Sequence, residues 1–479
     1  MKRKNVITVD LGAESGRVIT VGFDGNAFHM DEVHRFANVP VSVRGTLHWD
    51  VLRVWQDIRT GIDRAHADAA GIGLDTWGVD FALLDRNGQL LGNPVHYRDK
   101  RTEGMMEWVF DRVPRRTLFE RTGIQFMQIN GIYQLASMIR DHSPLLDIAA
   151  TFLTISDLFN YWLSGYRGCE FTQATTLQMV NPRSRDWDWA TLDTLGVPRH
   201  LMPPVTAPGT KIGEDRGVPV LLSACHDTGS AVVGVPTTTP DYVYISSGTW
   251  SLIGMEISAP LINDASYEAN VTNEGGVGGT FRLLKNVQGL WLAQQSRQTW
   301  RDQGIDLDYE ALAHLAAEAA PFRSLIDPDE HRFLAPGDMP SRIQAFCHET
   351  DQRIPETPAQ IMRTIYESLA LKYRFTIDKL IALTGRTVER VHIVGGGSRN
   401  ALLSQMTADV CNRVVITGPI EATALGNAIV QFMALGQFSS IAEAREVLSK
   451  GSGMGYYEPK NTRAWEEAYG RFKKLIISN

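Results

Sequence analysis

Residues 5–23 read NVITVDLGAESGRVITVGF: an apolar run at 6–9 meets Asp10, passes through the small turn Gly12-Ala13-Glu14-Ser15-Gly16, and resumes at 18–23. Two apolar runs joined by a short glycine-containing turn predict a β-hairpin. The same device recurs at 241–257, DYVYISSGTWSLIGMEI, where the runs 242–245 and 250–254 flank Ser-Ser-Gly-Thr. A turn of Gly, Ser and Thr between strands aims several backbone N–H groups and hydroxyls in one direction, which makes an anion cradle. One such hairpin is an ordinary tight turn. Two of them, each opening its own half of the chain, fit the phosphates of a nucleotide.

A third loop, VHIVGGGSRNALLSQMTADV, follows a strand at 391–394 and precedes a helix starting near Asn400. It does not match G-x-G-x-x-G, and the chain has no G-x-x-x-x-G-K-[ST], so neither a Rossmann fingerprint nor a P-loop is supported. Three glycines still let backbone lie flat against a ligand. The nearby EATALGNAIVQFMALG is a small-residue helix suited to packing tightly behind such a loop. The last stretch of note is SACHDTGSAVVGV, residues 223–235, an apolar strand that ends in Cys-His-Asp-Thr and opens into a helix. Asp227 has no neighbouring Lys or Arg. It suits a general base that takes a proton from a hydroxyl, and it equally suits an N-cap.

Taken together, VDLGAESGR, HDTGSA, SSGTWSLIG, VGGGSRN and EATALGNA, in that order, resemble the FGGY family of carbohydrate kinases. The longer strings GLDTWGVDFALLD, PVHYRDKRT, RTGIQFMQIN, ANVTNEGG and LLKNVQGLW resemble the branch of that family that acts on L-rhamnulose, and the resemblance covers nearly the whole chain. It implies an α/β protein of two actin-like (ribonuclease H-like) ATPase domains, with mixed sheets flanked by helices and an interdomain cleft. The activity implied is ATP-dependent phosphorylation of L-rhamnulose at its C1 hydroxyl. Alternatives are another ketose or polyol kinase of the family, acting on L-fuculose or L-xylulose, and a catalytically silent ATP-binding regulator. By carry-over, Asp227 is the catalytic base, and Gly78, His226, Asp227, Thr228 and Asn286 bind the sugar. Ala13, Glu14, Ser15, Gly16, Arg17, Thr249, Gln294 and Gly396 bind ATP, and Asp10 faces Mg²⁺ through water, because Mg²⁺ dehydrates reluctantly. Glu14 departs from the branch, which commonly carries Ser there. A carboxylate among phosphates needs a cation nearby, and Arg17 is the candidate offset.

The 479 residues exceed one ordinary core. The Thr- and Pro-rich stretch VPTTTPD at 235–241 marks a linker, giving an N-terminal domain at 1–236 and a C-terminal domain at 237–479. Hydrophobic content of 43%, charged content of 21% and a net charge of −7 describe a globular protein without the basic face that nucleic acid requires. The partners expected are a small-molecule ketose and ATP, with no nucleic acid and no membrane, in a monomer or homodimer. Cys169, Cys225, Cys347 and Cys411 show no CxxC spacing. Asp10 interrupts the apolar run after MKRKN too early for a signal peptide, and no apolar stretch is long enough to span a bilayer, so a cytoplasmic location is expected. Locally, the sequence predicts a strand at 73–84, a helix in SDLFNYWLSG capped by Ser156, and a core helix at 361–383 closed by Gly385. The Trp pair of RDWDWATL reads as packing. YRDKRT reads as a solvated loop held by ion pairs, and His29, His34 and His48 lack metal-ligand spacing.

Overall fold

The computed structural model describes residues 3–451 and 453–477. The chain divides into two compact units. One gathers residues up to Thr238, Glu256–Leu284 and Ala422–Gly451, and the other gathers Thr239–Met255, Lys285–Glu421 and the residues after 451.

The first unit is built on a six-stranded mixed sheet in the order Lys211–Asp215, Val218–Leu221, Ala69–Thr76, Lys4–Leu11, Ser15–Phe23, Phe28–Ala37. Lys4–Leu11 pairs antiparallel with Ser15–Phe23, setting Asp10 opposite Arg17, and parallel with Ala69–Thr76, setting Asp10 beside Asp75. Val6, Ile7, Val9 and Leu11 are all fully buried. A run buried on successive residues, rather than on alternate ones, belongs to a strand covered on both faces. One cover is Val51–Ala65; another is Ala422–Ala434, which lies on Lys4–Leu11 and Ala69–Thr76 and crosses helix Asp227–Val233. That crossing is close. A Cβ on Gly426 would lie 1.8 Å from the Ser230 carbonyl oxygen, so only glycine fits. The small-residue helix therefore packs on the sheet that carries the first hairpin.

Two local expectations are corrected here. The strand expected at 73–84 is two strands, Ala69–Thr76 and Phe81–Leu84, because Val79 takes a positive φ of 69° and the chain turns between them. Helix Ile155–Ser164 is capped by Thr154, whose hydroxyl accepts from the Asp157 N–H, and Ser156 is already inside the helix.

In the second unit, Tyr242–Ser247 and Trp250–Ile257 form the expected second hairpin, in register from Tyr244 opposite Gly254 to Ser247 opposite Ser251. Tyr242–Ser247 runs parallel to Arg390–Val394, which in turn runs parallel to Val414–Thr417, with Gly455–Tyr457 antiparallel at the edge. Behind them lies Pro358–Thr384, a 27-residue helix with a Thr357/Gln360 capping box and a left-handed Gly385 (φ 65°) at its end. Its Tyr373 hydroxyl meets the Ser251 hydroxyl at 2.7 Å, tying the helix to the hairpin. Among the described residues no helix is long and apolar enough to cross a membrane, and all four cysteines are buried and free.

Candidate active site

Three strand ends of the first unit meet at one place. The Trp77 N–H donates to the Leu11 carbonyl (3.0 Å) and the Thr76 N–H to the Cys225 carbonyl (2.8 Å), so the ends of Lys4–Leu11 and Ala69–Thr76 and the segment before Asp227 are stitched side by side. A Cβ built on Gly78 would stand 3.2 Å from His226 Nε2 and from the Thr176 side chain, so its backbone is closely approached by the histidine. Gly78, His226, Asp227 and Thr228 thus share one locality with Asp10 and Asp75.

Asp227 is not the cap of its helix. Helix Asp227–Val233 has His226 at the N-cap position, without a side-chain cap bond, and the Asp227 carboxylate accepts from the Thr228 N–H (2.5 Å) and hydroxyl (3.1 Å). Its side chain is 30% exposed, enough for a ligand to reach it. Burial pushes its carboxyl above the ordinary value, His226 opposes that shift, and the charge of Asp10 adds to it. Asp10 is held by Arg17, whose Nη2 donates to Oδ2 at 2.5 Å. Asp75, fully buried, accepts from Asn427 Nδ2 at 2.6 Å, while its Oδ1 has no hydrogen-bond partner. Burial, with Asp10 and Asp227 adding, drives the Asp75 carboxyl far up.

Further residues fix this geometry from a distance in sequence. Glu170 is fully buried and accepts from the Thr172 N–H, the Thr172 hydroxyl, the Gln173 N–H and the Cys225 N–H at 2.6–3.1 Å, while the His226 N–H donates to the Thr172 hydroxyl (3.2 Å). One carboxylate thereby anchors the residues leading to Asp227. On His226 itself, Nε2 is 3.4 Å from Asp227 Oδ1, and Nδ1 is 3.2 Å from Glu274 Oε2 and 3.1 Å from Arg282 Nη2. Asp80 is buried beneath Gly78 and accepts from the indoles of Trp49 (2.6 Å) and Trp77 (2.9 Å) and from Gln134 (2.9 Å). Burial pushes its carboxyl up to about 6.

The hairpin residues divide by role. Ala13, Glu14 and Ser15 form the turn, closed by Gly12 N–H to the Ser15 carbonyl (2.9 Å), with Glu14 exposed. Gly16 is buried, and a Cβ there would lie 2.3 Å from the Phe36 ring and 2.6 Å from Leu11, so glycine is required by packing. The cation in the field of Glu14 is Arg98, while the guanidinium of Arg17 serves Asp10.

In the second unit the turn Gly248-Thr249 is stitched to the segment leading into helix Trp291–Asp302: the Gly289 and Trp291 N–H groups donate to the Thr249 carbonyl (3.1 and 3.2 Å) and the Leu290 N–H to that of Gly248 (3.0 Å). Gln294 lies in the first turn of that helix, and Asn286 is half-buried on strand Phe281–Gln288 just before it. The triple-glycine loop leaves the parallel neighbour of the hairpin's first strand, Ser246 pairing with Val394, so Thr249 and Gly396 follow adjacent strand ends. Gly395 (φ 83°) and Gly397 press on Ser247, the latter so closely that a Cβ would sit 2.0 Å from its hydroxyl. Gly396 is exposed and open, with no atom within 4 Å of a Cβ. The following helix, Ala401–Cys411, starts where expected and is capped by the Asn400 side chain, which accepts from the Leu403 N–H.

Glu170, Glu274, Arg282 and Asn427 escaped the sequence reading, although Glu274 lay in the quoted string ANVTNEGG and Asn427 in EATALGNA. The YRDKRT segment is not a solvated loop: Asp99 Oδ2 accepts from the Leu47 N–H (2.8 Å), and Arg101 donates to Gln134 (2.7 Å), the residue that holds Asp80. In RDWDWATL, Trp187 is buried and donates to the Pro203 carbonyl (2.6 Å), as packing requires. His29 and His34 pair with Asp24 and Asp57, and among the described residues no cluster of three or more His, Cys, Asp or Glu has metal-holding geometry.

The model of the N-terminal domain of the FGGY family of carbohydrate kinases matches residues 5–234, and that of its C-terminal domain matches 243–435. The chain is 40% identical to a rhamnulokinase of Bacteroides thetaiotaomicron over 99% of this chain and 100% of that protein, and 41% identical to one of Pectobacterium atrosepticum over 99% and 97%. Among solved structures it resembles in fold a ligand-bound xylulose kinase of Lactobacillus acidophilus (TM-score 0.82, 16% identity, 99% and 98% covered). A glycerol kinase of Plasmodium falciparum with ADP is likewise similar (TM-score 0.77, 14% identity, 99% and 98% covered).

Proposed function

The chain belongs to the FGGY family of carbohydrate kinases and is a sugar kinase; we propose that it transfers the γ-phosphoryl group of ATP to the C1 hydroxyl of L-rhamnulose, giving L-rhamnulose 1-phosphate and ADP. The observation that carries the mechanism is Asp227: a partly exposed carboxylate at a strand-to-helix junction, released from capping and flanked by His226 and the backbone of Gly78. Asp227 accepts the C1 proton as that oxygen attacks phosphorus in line, and the bond to the ADP oxygen breaks. The elevated carboxyl brings the base nearer to neutrality. Gly78, His226, Thr228 and Asn286 hold the sugar, so that the hydroxyl is oriented before transfer.

The turn Ala13-Glu14-Ser15-Gly16-Arg17 and Thr249, Gln294 and Gly396 hold ATP, with domain 1–236 carrying the first phosphate hairpin, the base and most of the sugar site, and domain 237–479 the rest of the nucleotide site and Asn286. Mg²⁺, when bound, neutralises charge on the phosphates. Asp10 would hold it through water: its carboxylate at the end of strand Lys4–Leu11, with Asp75 beside it on Ala69–Thr76, suits a hydrated cation. Arg98 balances Glu14 beside the phosphates. A cytoplasmic enzyme, with ready access to ATP, fits this chemistry.

The test is ADP release with L-rhamnulose, L-fuculose, L-xylulose or no sugar, with the product's phosphate located by NMR. Sugar-dependent release with the highest kcat/KM for L-rhamnulose and phosphate on C1 is expected. Release without sugar, or a higher kcat/KM for another ketose, would overturn the assignment.

A further inference from the structure

Glu274 and Arg282 face one another across the hairpin of Thr272–Gly275 and Phe281–Gln288 and are buried to 3% and 1% exposure. Arg282 Nε donates to the Gly275 carbonyl (2.8 Å), and Nη2 is 3.1 Å from both Glu274 Oε2 and His226 Nδ1. A buried ion pair is costly to keep and contributes little net stability against an apolar pair of similar volume. Here it ends on the ring of a sugar-site residue.

We propose that Arg282 is a positioning residue that sets the tautomer of His226, so that the imidazole presents an Nε2–H toward the Asp227 carboxylate and the sugar, with Glu274 holding Arg282 in place. The argument is one of donors and acceptors. A guanidinium only donates, so a ring nitrogen facing Nη2 must accept, and in a neutral imidazole the proton then resides on Nε2. On the other side of the ring, the ionised Asp227 carboxylate only accepts, and its Oδ1 is 3.4 Å from Nε2. The Nε2–H tautomer satisfies both neighbours. The Nδ1–H tautomer has one attraction, Glu274 Oε2 at 3.2 Å, but sets its proton against those of Arg282 and turns a lone pair toward Asp227. A doubly protonated ring would place a second cation 3.1 Å from the Arg282 guanidinium. The selected tautomer keeps Asp227 aligned and offers a donor beside it.

The inference rests on the reading of Asp227 as the base, and its test separates the two. The enzyme, labelled with ¹⁵N at histidine, is examined by two-bond ¹H–¹⁵N correlation without sugar, His226 being assigned by its loss in His226→Gln. Wild type is expected to show a bare Nδ1 and a protonated Nε2. Arg282→Met should move the proton to Nδ1, where Glu274 accepts it, and lower kcat by at least about tenfold, the weight of one charge-assisted hydrogen bond, with KM for ATP unchanged. Arg282→Lys, which keeps a cationic donor, should restore the Nε2–H signature and part of kcat, and it serves where the methionine variant does not fold. A wild-type ring protonated on Nδ1 or on both nitrogens, or an Arg282→Met enzyme with the wild-type signature, overturns the proposal. Because the spectrum needs neither sugar nor turnover, full activity in Asp227→Asn would sink the base assignment while leaving the tautomer result standing.

Discussion

The two glycine hairpins are the same backbone device with opposite electrostatics. In the first, the residue two before Gly12 is Asp10, opposite Arg17; in the second, the residue two before Gly248 is Ser246, opposite Leu252. Each turn is closed by its glycine N–H, in the first from Gly12 to the Ser15 carbonyl at 2.9 Å and in the shorter second from Gly248 to the Trp250 carbonyl at 2.8 Å. Beside the first stand Asp75 and Asp227, and beside the second the backbone of Gly395–Gly397. The proposed function puts the proton acceptor and the hydrated cation on the acid-rich side, beside the first hairpin. The neutral second hairpin offers hydroxyl and amide donors to an anion and nothing that takes a proton.

The sharpest break of this comparison is Asp227→Asn, which keeps the shape and removes the proton acceptor. Turnover should fall by about 10² to 10⁴ while nucleotide affinity, measured by calorimetry, stays near wild type. In the unmodified enzyme the acid limb of kcat should lie above pH 3.8, the ordinary value for aspartate, because the Asp227 carboxyl is raised. Thr249→Val at the second hairpin removes the hydroxyl that the proposed function places on phosphate. It should raise KM for ATP by about tenfold with kcat little changed.

Smaller effects separate packing from contact. Gly396→Ala adds a methyl group in open space, so it should leave the melting temperature unchanged and raise KM for ATP by a few fold, roughly 1 kcal/mol or less. Gly397→Ala forces a Cβ to 2.0 Å from the Ser247 hydroxyl and should lower the melting temperature as overpacking does. If both variants behave alike, the distinction between an open and a packed glycine fails.

The smallest effect is on the pH dependence of stability. Burial pushes Asp157 up to about 8, with the charge of Glu170 adding to it, and pushes Glu170 up to about 7 against the opposing hydrogen bonds from Thr172, Gln173 and Cys225. Below their ordinary values near 4 both states are protonated. Between there and the folded values only the native state keeps the protons, so the stability from this pair is lost as pH rises through 7 to 8. Asp157→Asn should flatten that slope, visible as a change of roughly a few °C in melting temperature between pH 5 and 8. An unchanged slope would show that the Asp157 carboxyl does not titrate in this range.

What the sequence made legible follows from how far each interaction reaches. Asp10, His226 and Asp227 lie in short strings whose strand-to-turn pattern places them at strand ends, and both hairpins could be read from two apolar runs and a turn. Glu170 acts on Cys225, Glu274 and Arg282 act on His226, and Asn427 acts on Asp75 across 352 positions. No local pattern announces a partner that the fold alone supplies. The helix Ala422–Ala434 was legible as a helix, but its membership of the first unit depends on Gly426 meeting Ser230. The break between Thr76 and Phe81 was hidden because a valine, not a glycine, takes the positive φ.

The central claim is that Asp227, beside the first hairpin, takes the proton in transfer, while Thr249 of the second hairpin serves only to hold the nucleotide. The most direct measurement is single-turnover phosphoryl transfer to L-rhamnulose at saturating ATP, compared between Asp227→Asn and Thr249→Val. The account predicts that Thr249→Val transfers at close to the wild-type rate once saturated, while Asp227→Asn binds ATP normally and transfers at least about 10²-fold more slowly. Fast transfer by Asp227→Asn, or a comparable loss in Thr249→Val at saturation, would contradict it.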